Sequence, residues 1–186
     1  MRDVLEQTDQ HLIAAAREGD DGAFEQIVRR YEPVVAATVI GMLGHSAEAE
    51  DVGQETFIRL YRSLDQFRGE ASLKTYITRI AMNLSLNELK RRKRTRERIS
   101  GTPVDEFHNL EARGERAESR DTREMVHQAI GQLEDKFRAV IVLRLIDGYS
   151  TDETSKMLEI PVGTVLSRLA RAQAKLKEVL INEERG

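Results

Sequence analysis

The sequence predicts an all-α protein made of two small helical domains joined by a flexible linker. Three observations carry this. Only three prolines and no tryptophan interrupt long stretches of Ala, Leu, Glu and Arg, in a chain whose charged residues make up 33%; these are strong helix formers. Apolar residues recur at helical spacing in most segments. Residues 99–122 instead combine Gly, Pro, Ser and mixed charge with little periodicity, the composition of an exposed tether. The boundaries that follow are residues 1–98, a linker at 99–122, and residues 123–186. A chain of 186 residues has room for one ordinary domain or two small ones.

In chain order, "TDQHLIAAAREGD" reads as a short helix ending at Gly19, and "DDGAFEQIVRRYEPVVAATVIGML" as a longer one kinked at Pro33. A third helix begins at Ser46. A fourth starts near Ser72 and runs into the basic tract "KRRKRTRER". In the second domain "REMVHQAIGQLEDKFRAVIVLRLIDGYS" gives two helices. The run "AVIVLRLI" alone is ambiguous with a buried strand, and its helical neighbours decide for helix.

"YSTDETSKML" opens with a capping box, Ser150 with Glu153. Glu159, Ile160 and Pro161 form a turn, with Pro161 suited to the first position of the next helix. That spacing is a helix-turn-helix. On a helical wheel Val165, Leu169, Ala172, Leu176 and Val179 form one core stripe. The opposite face carries Ser167, Ala170, Arg171 and Ala174, flanked by Thr164 and Arg168 on one side and Leu166 on the other. Such a face suits DNA, and equally a solvated helix surface.

In the third helix Val52, Phe57, Leu60 and Leu64 point one way, and Asp51, Gln54, Glu55 and Ile58 the other. An Ile among acids suits a basic protein partner, or is an ordinary acidic face with one stray Ile. In the fourth helix Leu73, Ile77, Ile80 and Leu84 form the buried stripe, and Arg79, Met82, Asn83, Leu86 and Lys90 the outward one. Arg and Lys hold phosphates, Asn83 suits a base edge, and the preceding loop "FRGEAS" (Phe67, Arg68, Gly69, Glu70, Ala71, Ser72) offers backbone groups to an unstacked base. Phe67 and Tyr76 are stacking candidates, though Tyr76 fits a core position better. The basic tract alone supplies only non-specific phosphate affinity.

Charge is segregated along the chain. Residues 1–62 hold 6 basic and 12 acidic side chains, residues 63–98 hold 10 and 4, residues 99–135 hold 4 and 9, and residues 136–186 hold 9 and 7. Two basic blocks predict two polyanion contacts. No cysteine means no disulfide and no thiolate metal site, and His11, His45, His108 and His127 are scattered. With no phosphate loop or carboxylate pair, neither an enzyme, nor a metal, nor a cofactor is expected. "MRDVLEQTDQ" lacks the apolar core of a signal peptide, and no apolar run approaches the roughly 18 residues of a membrane span. The expected location is therefore the cytoplasm.

"DVGQETFIRLYRSLDQFRGEASLKTYITRIAMNLSLNELKRRKR" resembles region 2 of the extracytoplasmic-function (ECF) sigma factors of bacterial RNA polymerase, and "LEDKFRAVIVLRLIDGYSTDETSKMLEIPVGTVLSRLARAQAKL" resembles their region 4. The resemblance implies that Asp51, Gln54, Glu55 and Ile58 dock on the beta-prime coiled coil of core polymerase. It implies that residues Phe67 to Ser72 with Arg79, Asn83 and Lys90 open and read the −10 element, capturing a flipped base. Thr164, Ser167, Arg168, Ala170, Arg171 and Lys175 would meet the −35 element while region 4 rests on the beta flap. A separate anti-sigma factor is the implied control, which can hold the protein at the inner membrane. Four positions depart from the family's usual residues. Tyr76 stands for Trp, Glu159 for a turn Gly, Leu166 for Lys or Arg, and Ala170 for His or another larger side chain. Leu166 and Ala170 thus suit thymine methyls or close approach, leaving the basic residues to phosphates and one guanine. A stand-alone helix-turn-helix regulator is the alternative reading, and an RNA-binding scaffold a third.

Overall fold

The computed structural model describes residues 8–100 and 122–184. The linker expected over 99–122 lies, apart from its ends, outside the described residues. Among the described residues every regular element is helical. Helix α1 spans Asp9–Arg17, with the Thr8 side chain accepting from the His11 amide. Asp9 then anchors it to the next helix. The Tyr31 hydroxyl donates to Asp9 Oδ2 at 2.5 Å, and Arg30 lies 2.7 Å from Oδ1. Burial and the neighbouring Asp9 push the Tyr31 hydroxyl far above its ordinary pKa.

Helix α2 (Asp21–Leu43) is capped by Asp20, runs unbroken through the exposed Pro33 and stops at Gly44, whose φ of 71° releases the chain. Ser46 caps α3 (Ala47–Ser63), which passes into a 3-10 turn at Leu64–Gln66. The loop 67–72 leads to α4 (Leu73–Ser100). Leu12, Ile27, Val35, Met42, Leu60 and Ile77 are buried at the centre of this half.

The expected outward position of Met82 is wrong: it is fully buried, as are Thr78, Ala81 and Ser85. A wheel with one buried stripe assumes a helix covered from one side, whereas α4 is packed by α2 and α3 and touches α6 as well. Arg79, Asn83 and Lys90 remain exposed on the edge left open.

In the second half α5 spans Thr122–Gly131 and α6 Asp135–Ile141. "AVIVLRLI" is helical, and its end, Val142–Ile146, widens into a π-type turn in which the Asp147 amide reaches Val142 O and the Tyr149 amide Leu143 O. The capping box is present at the start of α7 (Thr151–Leu158): Glu153 N donates to Ser150 Oγ and Ser150 N to Glu153 Oε2. Helix α8 (Val162–Glu184) buries Val165 and Ala172 and packs Leu169 and Leu176 against Ile130, Leu133, Phe137 and Ile141.

The two halves share a core. Ala139, Val142, Leu143, Tyr149 and Met157 join the cluster formed by α1 to α4. Gly41 on α2 permits this approach, because a Cβ there would stand 2.9 Å from Val142 Cγ2. Polar contacts follow the same seam. Tyr149 Oη donates to Thr78 Oγ1 at 2.9 Å, Lys74 Nζ to Asp147 O at 3.2 Å, and buried Arg138 to Met42 O at 2.8 Å. The His45 and His127 rings meet edge to face at 5.9 Å.

Candidate functional site

Three exposed surfaces gather the residues singled out by the sequence. On α3, Asp51 and Gln54 are exposed and Glu55 half-buried, held at 2.8 Å by Arg59 one turn on. Ile58 is 44% and Tyr61 51% exposed, an apolar strip amid carboxylates. Tyr61 stacks edge-on against Phe24 of α2 at 4.9 Å. Beside it an open groove of about 750 Å³ runs between α2 and α3, floored by Val35, Val39 and Phe57 and edged by Glu32 and Glu50. The surface is thus apolar with an acidic border, suited to an amphipathic helix carrying basic side chains.

The second surface is the open edge of α4 with the loop before it. Gly69, with φ 74°, turns the loop, and Arg68, Glu70, Ala71 and Ser72 are exposed. Ser72 caps α4, its Oγ accepting from Thr75 N at 3.1 Å. Phe67 does not stand free as a stacking platform; it lies half-buried with its ring 5.0 Å from Tyr76. Tyr76 in turn donates from its hydroxyl to Ser63 Oγ at 3.0 Å, the packing role its position predicts. Beyond Asn83 the helix becomes strongly basic. Arg91 and Arg92 pair with Glu88, and Arg92 also reaches Ser46 and Glu48. Part of the basic tract therefore ties α4 to the start of α3.

The third surface is the turn and exposed face of α8. Ser167, Ala170 and Arg171 are exposed, Thr164 and Arg168 half-buried, and Leu166 is 53% and Val162 40% exposed. Ser167 Oγ bonds Thr164 O, so this hydroxyl is spent on its own helix. Lys175 is turned inward: its ammonium lies 2.6 Å from Glu134 and 4.8 Å from the centre of the Phe137 ring. Burial raises the Glu134 pKa, but the bonds from Lys136 and Lys175 outweigh it and hold the carboxyl at about 2.

The second and third surfaces meet. Glu159, at φ 56° and ψ 41°, closes α7 in the left-handed conformation that Gly usually takes. Its carboxylate lies 2.5 Å from Arg79 Nη2 of α4. The seam also contains groups that sequence reasoning did not single out: Arg138, Asp147, Thr38 and the His45–His127 pair. Their partners are remote in sequence, and the one local signal is a charged residue inside an apolar run, as at Arg138.

Two DNA-suited faces, one beside an acidic docking surface and one on a helix-turn-helix, are the features of a bipartite transcription factor. Comparison with known proteins agrees. Residues 27–95 match sigma-70 region 2, and residues 123–176 match sigma-70 region 4. The RNA polymerase sigma-H factor of Pseudomonas aeruginosa is 36% identical over 185 residues, covering 95% of this chain and 96% of that protein. The ECF RNA polymerase sigma-E factor of Escherichia coli is 37% identical over 175 residues, covering 89% of this chain and 91% of that protein. The chain belongs to the sigma-70 family and is an ECF sigma factor. Among solved structures, CnrH in complex with the cytosolic domain of CnrY aligns with a TM-score of 0.67 at 26% identity, covering 94% of this chain and 97% of that one. The sigma factor RpoE bound to the anti-sigma factor NepR from Bartonella quintana, at TM-score 0.68, 23% identity, and 84% and 96% coverage, shares the fold. Both halves match sigma regions, so the stand-alone regulator reading is not favoured. No described helix is long and apolar enough to cross a membrane.

Proposed function

We propose that residues 1–98 bind core polymerase and read the −10 element, that 99–122 connect, and that 123–186 read the −35 element. The observation that carries this is the joint exposure, on one half, of the acidic and apolar strip of α3 and the Arg79, Asn83 and Lys90 edge of α4. Asp51, Gln54, Glu55 and Ile58 meet the beta-prime coiled coil, with Ile58 seated among its apolar side chains. The loop from Phe67 to Ser72 receives a flipped base, Asn83 bonds a base edge, and Arg68, Arg79 and Lys90 hold phosphates. On α8, Arg168 and Arg171 hold phosphates at the −35 element, Ala170 approaches the bases, and Thr164 and Ser167 line the contact while region 4 rests on the beta flap; Lys175, drawn to Glu134, reaches DNA only by leaving that pair. The protein acts without chemistry of its own, in the cytoplasm, under a separate anti-sigma factor that can sit at the inner membrane. The complexes formed by CnrH and RpoE support that control.

Transcription in vitro with purified core polymerase tests the whole reading. The wild-type chain yields promoter-specific transcripts, and Asp51→Arg combined with Glu55→Arg lowers affinity for core at least tenfold with an unchanged helical spectrum, a scale set by like charges replacing complementary ones. Unchanged affinity in the double variant removes the α3 surface from the docking site. Arg79→Ala and Asn83→Ala reduce promoter melting more than core binding, and an equal loss of both rejects their assignment to DNA.

A further inference from the structure

We propose that Arg17, at the end of α1 and outside the segments matched to region 2 and region 4, is a positioning residue for −10 reading. This rests on the proposal that the loop from Phe67 to Ser72 reads that element. The Arg17 guanidinium spans the base of the loop. Nε and Nη2 donate to Leu64 O at 3.1 and 2.8 Å, and Nη2 also to Phe67 O at 2.5 Å. The two carbonyls bracket the 3-10 turn Leu64–Gln66, which the backbone bond from Phe67 N to Leu64 O at 3.2 Å also closes. Arg17 thus adds to that bond, to the Phe67–Tyr76 ring contact and to the packing of Phe67 against the core in setting the orientation of Phe67 and of the residues after it.

The anchor itself is rigid. Leu12, Ile13 and Ala16 bury one face of α1, and Asp9 ties its other end to Arg30 and Tyr31. A planar guanidinium holds two carbonyls at once in fixed geometry, whereas a lysine ammonium is a single mobile point of charge. Between Phe67 and the Ser72 cap of α4 the loop is exposed, and Gly69 is at positive φ. Arg17 touches no base in this arrangement; it sets the path of the backbone that does.

The test uses holoenzyme formed from core polymerase and the full chain, on a transcribed promoter randomised across its −10 and −35 elements, with transcripts sequenced to give base preference at each position. Arg17→Ala is expected to flatten −10 preference about tenfold, the scale of charge-assisted hydrogen bonds. Preference at −35 and affinity for core stay at wild-type values. Arg17→Lys restores only part of the preference. An unchanged −10 preference overturns the proposal, as does a parallel loss at −10, at −35 and in core affinity, which marks Arg17 as merely structural. Arg68→Ala and Glu70→Ala separate the two levels. If they alter −10 preference and Arg17→Ala does not, the positioning role alone fails; if neither alters it, the loop is not the reader and both fail.

Discussion

The Thr38 hydroxyl, in the first half of the chain, donates to the Asp147 carboxylate in the second at 3.1 Å. Burial at this seam pushes the Asp147 carboxyl up to about 6 from its ordinary 3.8, against the opposing pull of Thr38 and Lys74. A carboxyl raised in the folded state favours its protonated form. The packing is therefore unpenalised below pH about 4, and the penalty is complete once the pH has risen past about 6. Asp147→Asn keeps an acceptor for Thr38 and removes the titration. Denaturant unfolding should show the variant more stable than the parent by about 1 to 3 kcal/mol at pH 8, and the two equal at pH 4. His127, whose pKa is lowered by burial and by His45, acts in the opposite direction. The difference between variant and parent, rather than the parent's own profile, is thus the readout.

Arg138 is 4% exposed and donates to Met42 O, Gly131 O and Leu133 O. Arg138→Met retains much of the apolar stem and strands three carbonyls. Relief from burying a charge offsets part of that loss, leaving a net cost of about 2 to 4 kcal/mol. Because Met42 lies across the seam, small-angle scattering should also show a larger radius of gyration for the variant. An unchanged unfolding midpoint would contradict the role assigned to this guanidinium.

Glu159 occupies a backbone conformation that costs a residue with a side chain about 1 to 2 kcal/mol. Its exposed pair with Arg79 returns at most about 1 kcal/mol. Glu159→Gly should therefore raise the unfolding midpoint slightly, by the equivalent of about 0.5 to 1 kcal/mol. Glu159→Ala, which keeps the strain and loses the pair, should lower it by no more than about 1 kcal/mol. Thermal unfolding of the two variants separates strain from charge.

On α8 the small exposed Ala170 and the basic Arg168 differ in what they can recognise. Ala170→Arg places donors near base edges and should change which −35 sequences are used, by about 1 to 3 kcal/mol at the contacted position. Arg168→Ala should weaken all promoters alike and reduce the slope of affinity against salt by about one counterion. A promoter-independent effect of the Ala170 change would take that residue off the reading face.

Local signals reached far into this fold. Periodicity and caps at Ser46, Ser150 and Pro161 located the helices, and the wheel for α8 separated buried Val165 and Ala172 from exposed Ser167, Ala170 and Arg171. What failed was anything that depends on a second neighbour. Met82 is hidden because α4 is enclosed on several sides, and a one-stripe wheel has no means of representing that. Lys175 is sent to the −35 element by the resemblance and not by the wheel, yet Glu134, 41 residues away, draws it in. Asp147 and Arg138 find partners 109 and 96 residues away, distances over which hydrophobic periodicity carries no information.

The contact between Arg79 and Glu159 also fixes a length. Elements named −35 and −10 lie about 25 base pairs apart, which at about 3.4 Å per step is roughly 85 Å along a straight duplex. In this arrangement the helix proposed to read one and the turn leading into the reader of the other are separated by a single ion pair of 2.5 Å. The 21 residues between α4 and α5 reach at most about 75 Å when fully drawn out. On the proposed reading, engaging both elements requires the shared core to part, and the length of the connecting chain then helps to bound the spacer that can be served. Removing residues from it should narrow the range of promoters by their geometry, with every base contact left intact.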